Sequence, residues 1–164
     1  MTLVPGASLL LDARKRKYAI PQFNVLNLEM IDAVLSTAEE LKAPVVVGIV
    51  DRHFPVLDVE SLVSAIKKKA QTMEASVILH LDHGRTYERA MEAIRMGFTS
   101  VMYDGSLLPI EENIQITNAI IKTAHAVGVS VEAELGHVGS QNAGDENKVT
   151  SVSDAVEFVQ RTNV

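Results

Sequence analysis

Five short runs rich in β-branched and apolar residues recur along the chain, with helix-forming stretches between them. This alternation is the strongest constraint on the fold. Several of the runs are almost continuously apolar, which is typical of parallel strands covered on both faces. No Pro/Gly/Ser-rich linker and no low-complexity tract interrupts the pattern, so we expect residues 1–164 to form a single α/β domain. The predicted strands are Tyr18–Asn24, Val45–Val50, Val77–Leu81, Thr99–Tyr103 and Val129–Leu135.

The intervening segments carry start and stop signals for helices. Asn27, Asp58 and Thr86 are each predicted to cap a helix. Pro109 opens a fourth helix and Gly128 ends it, because proline suits the first turn of a helix and glycine its end. A fifth helix is predicted to begin near Ser153, and a short extra helix from Ala7 to Lys17 precedes the first strand. The inward face of the helix after Asn27 is predicted to comprise Ile31, Val34, Leu35, Ala38 and Leu41.

Strand–helix alternation is compatible with a doubly wound sheet and with a (β/α)₈ barrel. The dinucleotide fingerprint Gly-x-Gly-x-x-Gly and the P-loop are both absent, which weakens the nucleotide-binding versions of the doubly wound fold. In a barrel, functional residues gather at the carboxyl ends of the strands. The ends of the five predicted strands are therefore the place to search for a site.

Every predicted strand ends in polar or ionisable residues. Taken singly, Asp82 could cap the following turn and Asp104 could belong to plain turn chemistry with the next glycine, and these readings stay open. Taken together, three of the residues could converge on a divalent cation through nitrogen and oxygen ligands. Because the sequence has no cysteine, any metal must be bound by His, Asp or Glu. The strand-end residues are Asn24; Asp51, Arg52 and His53; Asp82 and His83; Asp104; and Glu134, of which His83, Asp104 and Glu134 form the predicted metal group.

Other ionisable residues in the strands and loops have simpler explanations. Glu132 is predicted to be a buried structural carboxylate with a hydrogen-bond partner, and His80 to be a hydrogen-bonded histidine of the core. His125 is expected on the surface of a helix, whereas His53 and His137 lie in loops and remain unassigned.

Asp82 would stand beside the metal as a proton-transfer group. A Lewis-acidic metal next to a carboxylate can polarise a carbonyl and move a proton on the adjacent carbon or hydroxyl. This combination suits aldol or retro-aldol chemistry, isomerisation and metal-assisted hydrolysis equally. The residues alone do not choose among the three.

The charge of the chain limits its partners. A formal net charge of −6 argues against general affinity for nucleic acid or for an anionic membrane, but not against an anionic small substrate held by a few local cations. No run approaches the ~18 apolar residues of a membrane span, and the N-terminus lacks the layout of a signal peptide. We therefore expect a cytoplasmic protein that binds neither nucleic acid nor membrane.

Four motifs lie at these strand ends: Pro21-Gln22-Phe23-Asn24 with Asn27, His80-Leu81-Asp82-His83-Gly84, Ser100-Val101-Met102-Tyr103-Asp104-Gly105-Ser106 and Ser130-Val131-Glu132-Ala133-Glu134-Leu135-Gly136. They resemble those of the class II, zinc-dependent ketose-bisphosphate aldolases of the fructose- and tagatose-bisphosphate types. Their order and spacing match over nearly the whole chain. The resemblance implies a (β/α)₈ barrel that cleaves a ketose 1,6-bisphosphate into dihydroxyacetone phosphate and an aldehyde.

The same resemblance implies a role for each matching residue. Asp82 would be the acid/base that serves the C4 hydroxyl or the aldehyde oxygen, and His83 would be a ligand of the catalytic zinc. Asp104 and Glu134 would bind an alternative or second metal position, for a divalent or monovalent cation. Asn24 would contact the substrate. The phosphorylated sugar is thus the expected partner.

The sequence departs from the family pattern in the loop after Gly136. The family usually has a mobile loop of the Gly-Gly-x-Glu-Asp type with a catalytic glutamate, and Asn142 stands at about that glutamate's place. Proton abstraction would then require Asp145 or Glu146 to reach the site.

A second departure is Arg52, which follows the second strand where many relatives have small residues. Arg52 could bind an anionic group on the aldehyde half of the substrate, as in the related aldolases of inositol catabolism, which cleave a phosphorylated deoxy-keto-gluconate. The alternative is a surface arginine paired with Asp51 or Asp58, since exposed pairs of this kind are common.

The length of the chain fits only part of a barrel, because a complete (β/α)₈ barrel needs ~250 residues and rarely fewer than ~200. The 164 residues accommodate about five β/α units. The resemblance places two more zinc histidines and the phosphate-binding loop in later strands. We therefore expect a part-barrel whose open sheet edges drive homo-oligomerisation or pairing with a complementing C-terminal segment. A non-catalytic part-barrel that serves as an interaction module is the alternative.

Overall fold

The computed structural model describes residues 2–136 and 150–164, in which helices and strands alternate. A single 3₁₀ turn, Asp51–His53, follows the second strand. The helices are α1 (Gly6–Arg16), α2 (Leu28–Leu41), α3 (Val59–Ala70), α4 (Tyr87–Met96), α5 (Ile110–Ala126) and α6 (Val152–Thr162). The strands are β1 (Gln22–Asn24), β2 (Val45–Val50), β3 (Val77–Gly84), β4 (Ser100–Asp104) and β5 (Ser130–Glu134).

The five strands form one parallel sheet in the order in which they occur along the chain, β1-β2-β3-β4-β5. One line of paired residues runs across all five strands: Asn24, Gly48, His80, Ser100 and Ser130. Because every strand lies beside its successor and runs the same way, all the carboxyl ends meet at one edge. This is the arrangement of five consecutive units of a (β/α)₈ barrel, and the predicted fold class is confirmed.

The local signals in the sequence explain most element boundaries. The side chains of Asn27, Asp58 and Thr86 each accept a hydrogen bond from the backbone N–H three residues later, as predicted. Gly97 ends α4 with a φ of 93°, a conformation that glycine adopts without steric cost. The first strand is shorter than predicted, since Pro21 has no N–H to contribute to the ladder.

The core lies between the sheet and helices α2 to α5. Val47, Leu79 and Val101, from the three central strands, are fully buried. Leu41 is a correction to the predicted inward face of α2, because its side chain is 69% exposed. It lines an apolar groove with Phe23 on β1, the outermost strand on that side of the described sheet, where no described element covers it.

In the two described stretches of chain, every helix is too short or too polar to cross a bilayer.

Candidate functional site

The carboxyl ends of β3, β4 and β5 bring together the three residues of the predicted metal group. His83 Nδ1 lies 3.1 Å from Asp104 Oδ2 and 3.3 Å from Glu134 Oε2. Asp104 and Glu134 are the last paired residues of β4 and β5. One ligand atom from each of the three residues lies within 4.8 Å of the others. The sequence placed these residues at strand ends, and the fold makes them neighbours.

His83 reaches this group through an uncommon backbone conformation, with a φ of 52°. The pairing of β3 with β4 shifts register between Leu81 and Gly84, and irregularities of this kind re-aim a side chain at the end of a strand. A Cβ added to Gly84 would lie only 2.8 Å from the carbonyl oxygen of Met102, so β4 approaches the bulge too closely for any larger residue. The register shift and the glycine together turn the imidazole toward β4.

Asp104 is held as a carboxylate by several donors. Ser106 donates to Asp104 Oδ1 from its backbone N–H at 3.2 Å and from its hydroxyl at 2.6 Å. Arg85 Nη2 lies 3.5 Å from Asp104 Oδ2. Burial raises the pKa of Asp104, but the hydrogen bonds from Ser106 and His83 and the charge of Arg85 outweigh it, so the pKa lies below its ordinary value. Sequence reasoning assigned no role to Arg85 or Ser106, although Ser106 lies within a matching motif.

The three side chains fit a divalent cation. One imidazole nitrogen and two carboxylates are a donor set that zinc accepts. Zinc ligands in a tetrahedron, about 2.0–2.1 Å from the metal, lie about 3.3 Å from one another. The separations of 3.1 and 3.3 Å at His83 are of that size. Two of the three ligand separations in the group are therefore of the size that a tetrahedral zinc site requires.

Asp82 lies beside this group on β3 and is held by a residue two strands away. Asn24 Nδ2 on β1 donates to Asp82 Oδ2 at 2.8 Å, and Asp82 is only 9% exposed. Gly48 on β2 lies between them, paired with Asn24, and a Cβ at this position would overlap Asn24 Oδ1. The asparagine therefore reaches across β2 because residue 48 has no side chain.

We expect Gly48→Ala to remove the Asn24–Asp82 hydrogen bond and to lower the free energy of unfolding by about 1 kcal/mol. Loss of the hydrogen bond from the exposed Asn24 to the charged Asp82 should lower the free energy of unfolding by about 1.5 kcal/mol. Alanine is better suited than glycine to a strand, and this difference should restore about 0.5 kcal/mol. Denaturant unfolding and the NMR signals of the Asn24 side-chain amide measure both effects. Asn24→Ala is the matched control: a Gly48→Ala/Asn24→Ala double variant should lose less than the sum of the two single losses, whereas additive losses would contradict the shared bond.

His80 and Glu132 lie deeper in the sheet and differ in part from prediction. His80 is 2% exposed, and its Nδ1 lies 2.9 Å from Ser100 Oγ. Its Nε2 has no hydrogen-bond partner among the described residues and lies 3.7 Å from Glu132 Oε2, so His80 is a core histidine that is only half hydrogen-bonded. Burial lowers the pKa of His80 to about 4, which makes the imidazole neutral at pH 7.

Glu132 was predicted to be buried, and this is wrong. Its side chain is 57% exposed. Glu132 lies on β5, the outermost strand on its side of the described sheet, so one flank of the side chain has no neighbouring strand in the part of the chain that the structure describes. His125 lies on the surface of α5, as predicted.

Arg52 is exposed and is not paired with either of the carboxylates considered for it. Asp51 binds Arg89 instead, with Oδ1 2.6 Å from Arg89 Nε. Asp58 accepts hydrogen bonds from the backbone N–H and hydroxyl of the residue three positions later, at the start of α3. Arg52 Nε lies 3.4 Å from His53 Nε2, and its guanidinium makes no ion pair with a described carboxylate. The loop positions His137, Asn142, Asp145 and Glu146 lie outside the described residues.

Comparison with known proteins gives one consistent answer. The sequence model described as fructose-bisphosphate aldolase class-II matches residues 4–164. A fructose-bisphosphate aldolase of Geobacillus stearothermophilus is 41% identical, with 100% of this chain and 59% of the relative covered. A 6-phospho-5-dehydro-2-deoxy-D-gluconate aldolase of Shouchella clausii is 42% identical, with 100% and 58% covered.

Among solved structures, the YdjI aldolase of Escherichia coli K12 matches with a TM-score of 0.89 and 36% identity over 98% of this chain and 59% of that one. The chain thus spans about 59% of the length of the curated relatives it matches. The family model covers nearly every residue, including all four motifs at the strand ends. The chain belongs to the class II fructose-bisphosphate aldolase family.

Proposed function

We propose that the chain carries the proton-transfer and part of the metal-binding machinery for retro-aldol cleavage of a ketose 1,6-bisphosphate, of the fructose or tagatose type, to dihydroxyacetone phosphate and an aldehyde. The observation that carries the proposal is the convergence of His83, Asp104 and Glu134 beside Asp82. Family membership favours aldol chemistry over the isomerisation and hydrolysis that the residues alone left open. A second cation position, divalent or monovalent, remains part of the proposal.

The residues divide the reaction between them. A bound zinc ion would supply a Lewis acid that polarises the substrate carbonyl and stabilises the negative charge that develops next to it. Cleavage breaks the C3–C4 bond: Asp82 accepts the proton of the C4 hydroxyl, C4 becomes the aldehyde carbon, and the electron pair of the broken bond passes to C3. C3 then takes up one proton, which completes dihydroxyacetone phosphate. Asn24 orients Asp82 by binding one of its oxygens, in addition to the substrate contact proposed for it.

A phosphorylated deoxy-keto-gluconate is the second candidate substrate. Two observations favour it: the similarity to the Shouchella clausii aldolase, and the exposed guanidinium of Arg52, which has no described carboxylate partner. Arg52 would bind the carboxylate on the aldehyde half of that substrate. Arg52→Ser should then weaken turnover of the carboxylated substrate selectively, and an equal loss on fructose 1,6-bisphosphate would contradict this second candidate.

We propose aldolase activity for this chain only when it is combined with the further strands that would complete the barrel. The described sheet does not contain these strands. Those strands could come from a complementing C-terminal segment, and homo-oligomerisation would cover the β1 and β5 edges in another way. The exposed Phe23 on β1 supports an association at that edge. The non-catalytic interaction module stays the alternative reading, and the cytoplasmic location stays a prediction.

The deciding experiment completes the barrel. The chain is fused to the remaining C-terminal portion of the Geobacillus stearothermophilus aldolase, and release of dihydroxyacetone phosphate is followed with and without zinc. We expect zinc-dependent turnover in the fusion. A folded, zinc-loaded fusion without turnover would favour the interaction module instead.

We expect zinc to stabilise the 164-residue chain itself through His83, Asp104 and Glu134. A ligand at about 100 times its Kd adds about 2.7 kcal/mol to the free energy of unfolding. Thermal melts with zinc and with a chelator measure the shift, and native mass spectrometry reports the bound zinc and the oligomeric state together. His83→Ala should abolish the shift, whereas His125→Ala, which removes a surface histidine of α5, should keep it. An equal shift in both variants would place the zinc elsewhere.

A further inference from the structure

A buried asparagine on α5 holds the end of β5. Asn113 is 1% exposed, and its Nδ2 donates to the backbone carbonyl of Glu134 at 2.9 Å. Thr117, one turn later and fully buried, donates its hydroxyl hydrogen to Asn113 Oδ1 at 3.1 Å. A backbone carbonyl can only accept a hydrogen bond, whereas a hydroxyl can donate or accept, so it is the Glu134 carbonyl that fixes which way the amide faces. The NH₂ group therefore points to β5.

The same amide lies against the end of β4. A Cβ added to Gly105 would overlap the Oδ1 and Cγ atoms of Asn113, so the backbone that immediately follows Asp104 packs directly on the amide. Asp104 and Glu134 are the last paired residues of β4 and β5. One side chain thus packs beside the first strand end and hydrogen-bonds the second, at the point where the described ladder stops.

We propose that Asn113 is a positioning residue for the candidate metal centre, and this role rests on the proposed metal-dependent function. Beyond the Asp104–Glu134 pair, no ladder hydrogen bond of the described strands sets the spacing of the two backbones. The Asn113 amide sets it instead, because it is held by Thr117 and fits only where residue 105 is glycine. Residues that do not bind the metal but orient its ligands matter for affinity: their mutation typically weakens metal binding by about 10–100-fold. A purely structural role predicts lost stability with unchanged affinity.

The test compares three variants of the 164-residue chain by titration with cobalt(II), whose visible absorption reports binding directly. Asn113→Ala should weaken cobalt binding by about 10–100-fold. Thr117→Val removes only the bond to the amide oxygen, and it should weaken binding by a smaller factor. Ile120→Ala is the structural control: it removes a fully buried side chain of the same helix, away from the strand ends, and should lower stability without changing affinity.

A second measurement on the metal-free chain does not depend on metal binding. The NMR signals of the Glu134 carboxyl carbon and the His83 ring should shift in Asn113→Ala and stay in place in Ile120→Ala. Unchanged signals and unchanged cobalt affinity in Asn113→Ala would overturn the positioning role, as would equal changes in both variants. If the unmodified chain binds no cobalt, the three residues do not form a metal site without the strands that complete the barrel, and the NMR comparison alone decides whether Asn113 positions Glu134.

Discussion

Asp82→Asn is expected to lower zinc-dependent turnover of the completed barrel by about 10²–10⁴-fold, the contribution typical of a general acid or base. An asparagine cannot accept the proton of the C4 hydroxyl at neutral pH. Its amide oxygen can still accept the hydrogen bond that Asn24 now donates to Asp82 Oδ2, so the geometry of the pair should survive. Zinc affinity should change little, since Asp82 is not in the group of three ligands.

The measurement is the release of dihydroxyacetone phosphate by the fusion protein at saturating zinc, with zinc affinity determined separately. Asp51→Asn is the matched control, because Asp51 is also an aspartate at the end of a strand but is occupied by an ion pair with Arg89. Asp51→Asn should cost stability and leave turnover within a few-fold. Retained turnover in Asp82→Asn would support the plainer reading of Asp82 as a turn residue.

Local signals were sufficient to predict the layout of the fold. β2 begins and ends where its apolar run predicts, and Asn27, Asp58 and Thr86 cap their helices through bonds within a few residues. The proximity of His83, Asp104 and Glu134 was predictable for a related reason: parallel neighbouring strands bring their carboxyl ends together. The strand order brings the ends of β3, β4 and β5 together, whereas the direction of the His83 side chain also depends on the local backbone.

The features that sequence reasoning missed depend on contacts between distant segments. The register shift at His83 follows from the close approach of Gly84 to β4, and the role of Asn113 follows from its bond to β5. Leu41 and Glu132 were wrongly expected to be buried, because periodicity shows which face a residue occupies but not whether another element packs there. Leu41 lies beside β1 and Glu132 lies on β5, the two outermost strands of the described sheet.

We expect the free energy of unfolding of His83→Gly to exceed that of His83→Ala by about 1 kcal/mol. Both variants lack the imidazole, so the comparison isolates the backbone, whose φ of 52° costs an alanine roughly 1–2 kcal/mol and a glycine almost nothing. In an ordinary strand the order is reversed, with alanine better by about 0.5–1 kcal/mol. Ala133→Gly on β5 is therefore the control and should be destabilising. Both His83 variants should bind zinc more than about 100-fold less tightly than the unmodified chain. Loss of a residue that only orients a ligand typically weakens metal binding by about 10–100-fold, and loss of the ligand itself should weaken it further.

Denaturant unfolding in the presence of a chelator measures the stability order, and zinc titration measures the affinity. If His83→Ala proves the more stable of the two, the strained backbone does not exist in solution. If the expected order holds, selection for stability alone would favour glycine at position 83. A histidine there, in a conformation that costs free energy and with its ring 3.1 Å from Asp104, is explained by binding rather than by folding. The strain at His83 would then be the cost of aiming the imidazole at the metal group, and the register shift beside Gly84 the means by which β4 maintains it.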